Sequence, residues 1–150
     1  MAAEVRAEEM RRIISETAVL IIKPVVQTLE LVNRKEVRKV LDVPLLSPGA
    51  STDLKDCEAV SMLYVRHCAV TVQARLDPAA SNSLRIHVRS SVDGGKWDDA
   101  DVSTFDLPLA AGKTVQKTQS VSPDYLMLKV IVENLDADHP AYDVRVWVVY

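Results

Sequence analysis

The sequence has little of several things. Of 150 residues, two are cysteine, three are histidine, four are glycine and one is phenylalanine. Cys57 and Cys68 lack the close spacing of a zinc site, and a secreted disulfide scaffold of this size would carry more cysteines. Two small buried thiols are the expectation. Aromatic residues make up only 5% of the chain, which leaves little for the stacking platforms that single-stranded nucleic acid or polysaccharide clefts use, though Trp97, Trp147 and Tyr125 or Tyr142 could still make a small sugar platform. The charge balance of 18 basic and 21 acidic residues argues against binding nucleic acid through bulk positive charge.

Motifs of catalysis are missing as well. There is no Gly-x-Ser-x-Gly, no phosphate-binding loop and no Gly-x-Gly-x-x-Gly. His67, His87 and His139 form no metal-ligand pair. His67 and Cys68 are neighbours in a strand pattern and point to opposite faces, so they cannot share a proton. The expectation is a protein that is not an enzyme and holds no cofactor, calcium being the one exception the residues could serve.

No apolar run is long. The most apolar stretch, 18–22, resumes at Val25 after Lys23 and Pro24, far short of the ~20 residues of a membrane span. Glu4, Glu8 and Glu9 sit where a secretory signal forbids acid. No membrane partner and no signal-peptide secretion are expected, with a place in the cytoplasm or within a virion.

What is present divides near residue 35. Residues 3–22 read as a helix, with Glu8 placed four residues before Arg12. Ile14, Ala18, Ile21, Val25, Leu29 and Val32 follow the spacing of one helical face. Pro24 would break that helix, so 25–33 is either a kinked continuation or a first strand. Further apolar residues wrap round more than one face of the segment. That predicts pairing with copies of itself, with Ile14, Ile21, Val25 and Leu29 as oligomerisation residues of a homo-oligomer.

From 36 to 150 short apolar runs alternate with turn signals, as in an all-β domain. The runs are 37–43, 59–64, 69–76, 84–92, 102–107, 115–121, 125–134 and 144–150. They predict a mainly β, antiparallel, jelly-roll-like sandwich of about eight strands behind an N-terminal α-helix. Leu84, Ile86 and Val88 alternate with Arg85, His87 and Arg89, giving one buried and one basic face. That basic row is expected to pair with aspartates of the next strand. The last run reaches Tyr150, so it must be tied down or offer an exposed edge.

Ser91, Asp93, Gly94 and Trp97 make the most distinctive constellation. Asp-Gly suits a tight hairpin, with Trp97 folded back on its stem. The spacing resembles the Ser-x-Asp-Gly-x-x-Trp hairpins of bacterial and phage β-sandwich modules. It is also similar to the Asp-box hairpin of sialidase-like propellers, short of one residue. Asp98, Asp99 and Asp101 follow closely and could supply oxygens to calcium. A second acidic loop, 133–138, carries Glu133, Asp136 and Asp138.

The pattern over 36–150 resembles structural modules of phage and virus particles, and also jelly-roll carbohydrate-binding modules. The first resemblance implies a non-enzymatic assembly protein forming a homo-oligomer. The second implies a module for a glycan or small ligand using the loop 93–101, with Asp93, Trp97, Asp99 and Asp101 as binding residues. Light scattering on the full chain and on a chain starting at Asn33 separates the two. The assembly reading expects a defined oligomer that falls to a folded monomer on truncation. A full-length monomer would remove the N-terminal segment as an assembly element.

Overall fold

The computed structural model describes residues 9–12 and 35–150. Residues 9–12 are helical, within the helix expected over 3–22. Ile14, Ile21, Val25 and Leu29, and the open question over 25–33, lie outside the described residues. Glu36–Tyr150 forms a compact unit.

All eight expected runs contain strands: β1 (Val37–Leu46), β2 (Val60–Ser61), β3 (Cys68–Leu76), β4 (Leu84–Ser91), β5 (Ser103–Asp106), β6 (Thr114–Val121), β7 (Met127–Asn134) and β8 (Ala141–Val149). They form two antiparallel four-stranded sheets, β1-β8-β3-β6 and β2-β7-β4-β5. Each strand pairs with its mirror image counted from the two ends of the domain: β1 with β8, β2 with β7, β3 with β6, β4 with β5. That is the strand order of a jelly roll. The last strand is not an edge: β8 lies between β1 and β3 and pairs with both.

The strands form because β-branched residues recur every second position and bury one face. Val70, Val72, Val144 and Val146 of one sheet are fully buried, as are Ile86, Val88 and Val132 of the other. All belong to one core. Phe105 is the single phenylalanine in it, so aliphatic side chains carry the packing. β1 is protected at its outer edge by Pro44 and by a register irregularity between Lys39 and Leu41.

Four connections meet at one end of the sandwich: 47–59, 77–83, 107–113 and 135–140. Asp136 and Asn134 tie three of them together, and both are buried. The Asn134 amide donates to the carbonyls of Ser47 (3.2 Å) and His139 (2.9 Å), and its oxygen accepts from Asp136 N–H. The Asp136 carboxylate accepts from the N–H groups of Ser81 (2.6 Å), Asn82 (3.0 Å), Asp138 (3.0 Å) and His139 (2.9 Å). Gly49 N–H donates to its carbonyl. So Asp136 of the acidic loop 133–138 is buried and fully hydrogen-bonded rather than solvated. Burial alone would raise its carboxyl, but the converging N–H groups outweigh burial and hold it well below the ordinary carboxylate value.

A group whose folded value is depressed stabilises the fold above its unfolded value, ~3.9 for Asp, and loses that contribution as pH falls below it. Thermal melts are therefore expected to show a falling midpoint below about pH 4. Asp136→Asn would turn an amide NH2 toward N–H donors. It is expected to lower the midpoint at pH 7 by roughly 5–10 °C and to flatten the acid limb. A midpoint unchanged in Asp136→Asn would refute this account of the loop end.

Candidate functional site

On the outer face of the second sheet the basic row of β4 stands between two acidic neighbours. Arg85 and Asp106 make a bidentate pair, Nε to Oδ1 at 2.8 Å and Nη2 to Oδ2 at 3.1 Å, across the β4–β5 register. His87 sits between two carboxylates, Nδ1 at 2.7 Å from Asp101 and Nε2 at 3.0 Å from Glu133. Arg89 Nε donates to the other oxygen of Asp101 at 3.1 Å. Burial works to raise the Asp101 carboxyl, but hydrogen bonds from His87 and Arg89 outweigh it and hold it below the ordinary value. The row is thus paired with carboxylates on both sides, from β7 as well as from the β5 side.

Beside this row lies an open groove of about 620 Å³, lined by His87, Arg89, Ile131, Glu133 and the segment 51–55. The groove exists because the chain leaves the sheet edge there. Ser51 bridges Glu133, and Thr52 N–H donates to Val132 O at 2.9 Å, so the segment first runs along β7. It then swings out through a single 3-10 turn, Leu54–Asp56, and rejoins β7 as the short β2. The excursion leaves two β7 N–H groups without a backbone partner. Val132 N–H donates instead to Thr52 Oγ1 (3.0 Å), and Val130 N–H to Cys57 Sγ (3.2 Å). Lys129 Nζ holds the wall by donating to Leu54 O at 2.7 Å.

Both thiols are free and buried. Burial pushes Cys57 up and Cys68 up to about 11, so neither is a reactive thiolate at neutral pH. Nothing in the sequence pattern marks Cys57 as a stand-in acceptor for the sheet edge.

The sequence-predicted binding residues are placed as follows. Ser91, Asp93 and Gly94 build a loop over 92–102, where the sequence suggests a tight hairpin. The Asp-Gly bend is one turn inside that longer connection. Ser91 Oγ accepts from Gly94 N–H (2.9 Å) and donates to Lys96 O (2.6 Å). Asp93 Oδ1 accepts from the N–H groups of Gly95 (2.8 Å) and Lys96 (3.0 Å), which hold its carboxyl below the ordinary value. Gly94 has φ +75°, and a Cβ there would lie 2.6 Å from Met127 Sδ.

Trp97, expected over the hairpin stem, has Lys129 Nζ of β7 5.2 Å from its ring centroid. It does not line the groove. The Asp98 carboxylate accepts from Ser90 Oγ, and Asp99 is exposed. Of the predicted set only Asp101 reaches the His87 and Arg89 side chains that line the groove. Asp98, Asp99 and Asp101 are not gathered as calcium ligands. Among the described residues no group of three or more His, Cys, Asp or Glu side chains is placed to hold a metal ion.

A second surface lies at the opposite end of the sandwich, where the connections 62–67, 92–102 and 122–126 meet. Met62 N–H donates to Leu126 O (2.8 Å), and the β4–β7 register sets Ser91 opposite Met127, so Val92 comes beside Leu126. Leu63, Tyr64, Val92 and Leu126 are 59%, 92%, 80% and 47% exposed there. Tyr64 also holds a positive φ of 65°, an uncommon conformation for an aromatic residue. The sequence runs 59–64, 84–92 and 125–134 place all four inside strands; the structure ends those strands short of them and leaves them in three separate loops. Among the described residues no helix is long and apolar enough to cross a membrane.

No protein family matches the chain, and no curated protein does. Among solved structures it is similar to one from Bacillus endospore appendages, described as a family of disulfide-linked pili. Identity there is 14% over 77% of this chain and 87% of the other, with a TM-score of 0.42. It is similar to a structure of infectious bursal disease virus, Gt strain, at 10% identity over 78% of this chain and 32% of that one, TM-score 0.45. It is also similar to the C-terminal family 22 carbohydrate-binding module of Clostridium thermocellum Xyn10B, at 13% identity over 78% and 82% of the two chains, TM-score 0.45. These neighbours include the virus and carbohydrate-binding kinds of sandwich that the sequence pattern resembles, and name no function for this chain.

Three substitutions test the loop assignment by urea unfolding. Asp101→Asn is expected to cost about 1 kcal/mol through its contacts with His87 and Arg89. Gly94→Ala is expected to cost about 1 kcal/mol or more, because it strains a positive φ against Met127. Asp99→Asn is expected to change stability by no more than about 0.5 kcal/mol. A large loss at Asp99 with none at Asp101 would reverse the assignment.

Proposed function

We propose that the chain is a non-enzymatic structural module that assembles with copies of itself as a repeated subunit of a larger particle. The observation that carries this reading is the apolar end formed by Leu63, Tyr64, Val92 and Leu126. Large apolar side chains gathered from three loops, against solvent, mark a surface built for contact. The charged face of the second sheet supports the same reading from the other side. Its guanidinium, imidazole and carboxylate groups already satisfy one another, and among the described residues no Phe, Tyr or Trp lines the groove.

A second reading is the binding of a glycan or other small polar ligand. The groove favours it, since about 620 Å³ lies in the range of small-molecule sites and its lining mixes donors with acceptors. A ligand that binds only the folded state raises the melting midpoint. A panel of mono- and oligosaccharides at millimolar concentration that raises it in the wild type, and not in His87→Ala, would favour this reading over assembly.

Assembly is tested by light scattering across a concentration series. The wild type is expected to show a mass that is a multiple of the chain. The double variant Leu63→Ser, Tyr64→Ser is expected to lose at least one step of that association and to keep its far-ultraviolet spectrum. A wild type of single-chain mass at every concentration would end the proposal.

A further inference from the structure

The four sheet edges are not equivalent. β2 has two residues and β5 has four, both short enough to offer little to a partner. β1 carries Pro44 and a register irregularity. β6 has neither device. It runs eight residues, Thr114–Val121, against β3 with no register shift and contains no proline. Its one charged residue, Lys117, is directed into the same chain, with Nζ donating to Asp106 O at 3.0 Å and lying 5.5 Å from the Phe105 ring centroid. The outward edge of β6 is therefore long, regular and free of charge among the described residues.

The backbone phase of that edge is fixed. Leu76 N–H donates to Lys113 O, so the odd-numbered residues of this strand turn their N–H and C=O groups toward β3. The even-numbered residues, Thr114, Gln116, Thr118 and Ser120, turn theirs away from the sheet. Their side chains are exposed on its outer face.

We infer that β6 pairs with β6 of a second copy, antiparallel about a two-fold axis at Thr118, joining two four-stranded sheets into one of eight. This rests on the assembly reading and adds an interface that the apolar loop end does not supply. Opposed residues in an antiparallel pair share a face, so only registers that keep inward residues opposite inward ones are open. With the axis at Thr118, Thr118 faces its copy, Gln116 faces Ser120, Val115 faces Val121 and Lys117 faces Gln119. No like charges meet. With the axis at Lys117 the two lysines would stand directly opposite, which is unfavourable. The outward N–H and C=O groups of Thr118 then exchange hydrogen bonds with their own copies, as an isologous contact requires.

The test uses the full chain. Thr118→Lys sets like charges on the axis, and Thr118→Pro removes an N–H that faces away from β3, a substitution an edge strand tolerates. Each is expected to weaken self-association tenfold or more in sedimentation equilibrium, with an unchanged far-ultraviolet spectrum. Thr118→Cys is expected to give a disulfide-linked dimer on mild oxidation, since facing Cα atoms of such a pair are ~5.5 Å apart. Thr114→Cys is expected to give none, because its copy lies far along the strand. The native thiols are buried and do not compete.

An oligomer that survives both Thr118→Lys and Thr118→Pro, or equal crosslinking at 114 and 118, overturns the edge pairing and leaves the assembly reading standing. A wild type of single-chain mass at every concentration overturns both.

Discussion

A slip of one residue between β4 and β7 would turn Arg85, His87 and Arg89 into the core and put Leu84, Ile86 and Val88 into water. The cost of burying two guanidinium groups and an imidazole away from their carboxylates fixes this register. With it fixed, Glu133 comes to one side of His87 and the β5 side brings Asp106 and Asp101 to the other. The remaining surface features follow from that alignment: the groove stands on the polar face, and the apolar loop end lies just past Ser91 and Met127.

The domain handles its unpaired backbone in two ways. Along β7 the excursion over 53–59 removes a neighbouring strand, and side-chain atoms of Thr52 and Cys57 take the abandoned N–H groups. In the β7–β8 connection, the Asp136 carboxylate collects four backbone N–H groups that the turns leave open. Both devices bring polar atoms into buried places where a missing partner would cost ~1–3 kcal/mol each. β6 has little such cover among the described residues: Gln119 Nε2 donates to Ser120 O at 3.5 Å. Its outward N–H and C=O groups are the ones from which an intermolecular ladder can grow.

The Ser-x-Asp-Gly-x-x-Trp constellation illustrates how a sequence signal can be real and still be read too far. Each of its residues is used: Ser91 and Asp93 close the loop, Gly94 takes a positive φ, and Trp97 covers Lys129. The hydrogen-bonding capacity of Ser91 and Asp93 goes into the loop's own backbone. Asp101 is reached by a different logic, through the β4 side chains it faces across the sheet. Period-two alternation made the basic row of β4 legible, and the expectation of acidic partners followed from its charge. Which carboxylates would answer depended on contacts of His87 with residues 14 and 46 positions away in sequence.

The sequence by itself determined the eight strands and their inward faces, because alternating β-branched and polar residues can bury only one side of a pleated chain. It also determined the turn positions, since glycine, proline and aspartate preset the dihedrals there. Tertiary structure alone decided the jelly-roll order, which places β8 inside its sheet and leaves β6 at an edge. It decided that Asp136 is buried, that Cys57 caps a sheet edge and that four apolar residues from three loops meet at one end. The physical reason is common to all of these. Each depends on contacts between segments far apart along the chain, and local propensity carries no information about which distant strand a given strand will find.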